Sequence, residues 1–105
     1  MLVGFRSLDG AEKDLVRQCM QAVLDGSWID DSEFQTRLGF EREELRAILT
    51  SWPLLDDADA LVGLAINNCM NEVCHGIYIS DRDWKARFTQ SPEQIKATYT
   101  KWKAS

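Results

Sequence analysis

Asn67, Asn71 and His75 recur at intervals of four, with Asn68 beside the first, along an otherwise apolar stretch. On a helix that spacing stacks the side chains into one stripe. Carboxamides there offer donors and acceptors together, and an imidazole adds a further donor and acceptor. Such a stripe would line a groove for a small ligand or a partner peptide. Hydrogen bonds across a packing junction, or plain exposure to water, account for it with fewer assumptions. His75 is the only histidine, and it follows Cys74. Cys69, Cys74 and His75 point in different directions on a helix, so no metal site is expected. No cysteine falls in a Cys-x-x-Cys pair, and Cys19 and Cys69 sit on apolar helix faces, where a thiol acts as a small buried hydrophobe. The carboxylates Asp30, Asp31 and Glu33, and again Asp56, Asp57 and Asp59, stand at helix starts, where capping explains them. With no activated nucleophile and no phosphate-cradling glycine loop, no catalytic residue and no cofactor are expected.

A second constellation is Phe34, Leu38, Gly39, Phe40, Leu45 and Ile48. A short helix, a sharp turn at glycine and a second helix with apolar residues at these spacings resembles a helix-turn-helix. That resemblance implies nucleic acid as a possible partner, with Arg42 and Arg46 as the contacting residues. The sequence departs from DNA-binding examples in two respects. Gln35 stands where a small residue usually lets the helices close, and Glu41, Glu43 and Glu44 put carboxylates where phosphates would lie. Lys85, Arg87, Lys96, Lys101 and Lys103, with Trp84 and Trp102 nearby, form a further basic and aromatic cluster. Lysines close to a helix C-terminus are also what the helix dipole favours.

The elements that must position these residues are written twice. Residues 8–52 align with residues 58–102 at an offset of fifty without a gap, and twelve of the 45 pairs are identical. Cys19/Cys69, Met20/Met70, Gly26/Gly76, Ile29/Ile79, Arg37/Arg87 and Trp52/Trp102 are among them. The pattern is helical throughout. Leu15, Val16, Cys19, Met20 and Val23 mark an amphipathic helix over 9–25, which Gly26 is placed to stop in a left-handed cap. A link at 27–29 leads to a short helix at about 31–38, ended by Gly39, and to a third over 41–52. The second copy repeats this. A helix opened by Asp57 or Asp59 runs to about Cys74, apolar over a wider arc and therefore expected at the centre of the fold. A link at 77–79, a short helix from Ser80 or Asp81, and a last helix opened by Ser91 and Pro92 follow. The two links are positioned to pair as a short antiparallel ladder. The expected fold is all-α, six helices in two tandem, pseudo-twofold-related three-helix units forming one domain.

Composition bounds the function. With 12 basic and 17 acidic residues the net charge is −5, which opposes binding to polyphosphate unless the cations gather on one face. No apolar run is long enough to span a membrane, and residues 1–25 lack a signal-peptide pattern, so a cytoplasmic location and no membrane partner are expected. The leading expectation is a non-enzymatic protein–protein interaction or regulatory domain, whose partner is another protein or a second copy. The alternatives are a helix-turn-helix-like nucleic-acid-binding regulator using Arg42 and Arg46, and a small-ligand sensor using Asn67, Asn68, Asn71 and His75.

Overall fold

Capping chemistry decides where the helices begin. The structure is a computed structural model that describes residues 4–56 and 59–104. It is mostly helical, with six α-helices and no strand among the described residues. A 3-10 turn at Gly4–Ser7 precedes α1 (Gly10–Asp25). The Asp9 carboxylate accepts from the Glu12 amide at 2.8 Å, and Glu12 accepts from the Asp9 amide at 2.9 Å, a reciprocal capping box. Helix α2 (Asp31–Leu38) ends at Gly39, whose φ of +84° is the left-handed conformation that glycine adopts without strain. Helix α3 (Arg42–Thr50) opens with the Glu44 carboxylate accepting from the Glu41 amide at 2.8 Å.

Asp59 starts α4 (Ala60–Asn71) by accepting from the Leu61 amide; Asp57, the other expected start, lies outside the described residues. The helix continues into a π turn at Glu72–Gly76. Ser80 caps α5 (Asp81–Arg87), and Ser91 caps α6 (Pro92–Ala104) by accepting from the Gln94 amide at 3.2 Å. Helix α3 stops two residues short of the expected Trp52, in a turn that carries the chain into Pro53.

One contiguous core joins all six helices. Val16, Cys19, Met20 and Val23 of α1 and Ala65, Ile66, Cys69 and Met70 of α4 are its most enclosed layer. Each large apolar side chain removed from water there contributes on the order of 2 kcal/mol. Burial pushes the Cys19 and Cys69 thiols well above the ordinary thiol range, so both stay protonated and inert. Helices α1 and α4 share the centre: α1 packs on α3, α4 and α6, and α4 on α1, α2 and α6, although α4 leaves Leu64 exposed.

Two further expectations fail. No backbone pairing joins the two links. Gly26 has an extended backbone with φ of −75°, so it does not serve as a left-handed cap. Its requirement is space, because a methyl group there would overlap the Trp28 ring.

Candidate functional site

The asparagine stripe divides into two parts. Asn68 donates to the Leu38 carbonyl at 2.7 Å, one of the acceptors that α2 leaves open at its C-terminus. Asn67 donates to Asn68 at 3.0 Å and accepts from the Tyr99 hydroxyl of α6 at 2.8 Å. Both asparagines are half-buried, and they tie α4 to α2 and α6. Asn71 and His75 are exposed. The structure therefore brings Asn67 and Asn68 together and leaves Asn71 and His75 at the surface.

Arg42 and Arg46 also part company. The Arg42 guanidinium meets Asp31 at 2.9 Å, donates to the Leu24 carbonyl at the end of α1, and reaches the Ile29 carbonyl at 3.3 Å. It also lies over the Phe34 ring, 4.3 Å from the centroid. One side chain thus ties together the end of α1, the link and the start of α2. Arg46 is exposed apart from a 3.4 Å contact with Glu43 on its own helix. Phe34, Leu38, Phe40, Leu45 and Ile48 are all buried. The basic cluster near the C-terminus is dispersed: Lys101 pairs with Glu12 at 2.7 Å, Lys103 lies over Tyr99, and Arg87 lies over Trp28.

Sequence reasoning named Arg37, Arg87, Gly26 and Gly76 as matched positions but foresaw neither of the two arginine junctions. Arg37 of α2 grips the Glu72 carboxylate with two parallel bonds of 2.8 Å and reaches the Gly76 carbonyl at 3.2 Å. Glu72 is buried, and Gly76 makes room for its carboxylate. The pairing raises the Arg37 pKa further. Fifty residues on, Arg87 of α5 lies over the Trp28 ring at 5.1 Å, and that ring covers Gly26. Gln18 bonds to Thr89 through both ends of its amide, while Asn68, fifty residues after Gln18, bonds to Leu38. The available signal was an arginine retained in both copies on a polar helix face.

A groove of mixed character lies between α3 and the start of α4, with a volume of about 340 Å³. Ala47, Ile48, Leu54, Leu55, Leu61 and Val62 supply apolar lining; Glu44, Asp56 and Asp59 add three carboxylates. Leu54 is 85% exposed, an unusual state for a leucine beside an apolar depression. No sequence pattern pointed here, because Leu54 and Leu55 lie in the connection between the two copies.

Among the described residues no helix is long and apolar enough to cross a membrane. The chain matches no protein family, no curated protein and no solved structure.

Proposed function

We propose that this chain is a non-enzymatic helical module that acts inside the cell by binding another protein. The observation that carries the reading is the groove between α3 and α4. Its apolar lining beside three carboxylates complements a segment that is apolar on one side and basic on the other. A buried leucine anchor in such a groove is worth about 1.5–3 kcal/mol, and exposed Leu54 is placed to supply or to cover one. Two observations rank this reading above the alternatives. The Arg42 donors are engaged by protein acceptors, which removes one of the two cations a nucleic-acid binder would use. Asn67 and Asn68 are engaged in packing junctions, which leaves less of the stripe for a small ligand.

The finer architecture belongs to the same proposal. Residues 8–52 and 58–102 are copies of one unit, related by a pseudo-twofold axis, within a single domain. Gln18 and Asn68, fifty residues apart, bond to neighbouring positions, Thr89 and Leu38, of the opposite short-helix ends, which supports this.

The test is capture by the tagged full chain, with light scattering to detect self-association. A partner or second copy held by the wild type and lost from Leu54→Asp supports the proposal. A strictly monomeric chain without a partner, or a partner held equally by Leu54→Asp, contradicts it. The exposure of Leu54 leaves folding of that variant intact.

A further inference from the structure

A separate pocket of about 290 Å³ opens between α1 and α5. Arg17, Gln18 and Gln21 line one side, and Arg87 and Thr89 the other. We infer that this pocket binds a carboxylate, gripped by the Arg87 guanidinium with Arg17 alongside.

The argument rests on the two arginine junctions. At Arg37 the guanidinium fork is filled by a carboxylate of the chain itself, Glu72. The residue fifty places before Glu72 is Ala22, which lines this pocket and brings no carboxylate to Arg87. Trp28 supports Arg87 from the face of its ring instead. A guanidinium held over an aromatic face keeps its in-plane N–H donors, and those donors match the two oxygens of a carboxylate. The pocket wall is fixed. Gln18 is buried, and its amide is locked between Asp14 at 2.9 Å and Thr89 at 3.0 Å.

Charge narrows the ligand class. Asp14 holds the Arg17 Nε at 2.9 Å and neutralises part of the local positive charge. With a net charge of −5 on the whole chain, a dianionic phosphate meets more repulsion than a single carboxylate. The volume suits a small organic acid or the acidic side chain of a peptide, and the recognised chemistry is the same for both. The pocket is distinct from the α3–α4 groove, so Leu54→Asp leaves carboxylate binding unchanged.

The test is NMR titration of the full chain, read at the Nε–Hε resonances of Arg87 and Arg17. The probes are butyrate and a capped Gly-Glu-Gly peptide. Butyramide and sodium chloride at matched ionic strength serve as controls. The expected result is a saturable shift at Arg87 with a carboxylate probe, little change with either control, and binding weakened about tenfold or more by Arg87→Gln. Arg17→Gln, expected to weaken binding by less, serves as a second variant. A response to butyrate shows that a free acid suffices; a response to the peptide alone shows that the carboxylate arrives on a chain. The inference is overturned if neither carboxylate shifts Arg87, if butyramide shifts it equally, or if both variants bind like the wild type.

Discussion

Arg37 and Arg87 align at the fifty-residue offset of the sequence, yet each is held by different chemistry. Arg37 is closed by a buried carboxylate, Glu72, packed over Gly76. Arg87 rests on an indole, Trp28, packed over Gly26. Each glycine is retained because something bulky must lie against it, the carboxylate in one case and the ring in the other. The aromatic position follows the same logic. Trp28 folds inward to cover Gly26, whereas its counterpart Tyr78 is 83% exposed, since Glu72 already fills the space above Gly76. One geometric problem, anchoring a short helix across a helix end, has been solved once by an ion pair and once by a cation–π contact. The ion pair is saturated. The stacked guanidinium keeps donors to spare, which is where a ligand enters the account.

The comparison predicts unequal costs. Arg37→Ala strands a carboxylate in a buried position and is expected to cost about 2–3 kcal/mol in urea unfolding, less than a fully buried pair because Arg37 itself is partly exposed. A cost below that of Arg87→Ala would break the comparison. Arg42→Ala frees the Leu24 and Ile29 carbonyls and removes the stacking on Phe34, for about 1–2 kcal/mol. Arg46→Ala, which loses a contact with an exposed carboxylate, is expected to change stability by less than about 0.5 kcal/mol. Arg87→Ala loses an exposed cation–π contact, for about 0.5–1 kcal/mol.

The smallest effect concerns pH. The Arg17 hydrogen bond holds the Asp14 carboxyl below its ordinary value of 3.8, with Gln18 assisting. A depressed carboxyl stabilises the fold above the unfolded-state value and loses that contribution as pH falls through the folded-state value. Melting temperatures of wild type and Asp14→Asn are therefore expected to differ at neutral pH and to converge in acid. A difference that fails to shrink as pH falls below 3.8 would contradict this.

Much of the fold was legible because its signals are local. Helical periodicity, Asp59, Ser80 and Ser91 as caps, and Gly39 as a helix stop each act within a few residues. The twelve identities at an offset of fifty are visible for the same reason, since they need only alignment. What the sequence hid is long-range. Nothing near Arg42 announces that its donors reach back to Leu24, and nothing near Glu72 announces Arg37, thirty-five positions away. Gly26 was misread because a glycine after a helix suggests a left-handed cap, while its actual constraint is a ring two residues on. The α3–α4 groove escaped notice because it straddles the connection, where the repeat offers no comparison.

The equivalence of the two junctions is tested most directly by converting one into the other. Ala22→Glu, Trp28→Tyr and the double variant together give a double-mutant cycle in urea unfolding. Ala22→Glu alone puts a carboxylate where the Trp28 ring already lies and is expected to destabilise, as is Trp28→Tyr alone, which uncovers Gly26. In the double variant the new carboxylate has the space and the Arg87 fork that Glu72 finds at Arg37. The account predicts recovery, with a favourable coupling of about 1–2 kcal/mol. Strictly additive losses would contradict it.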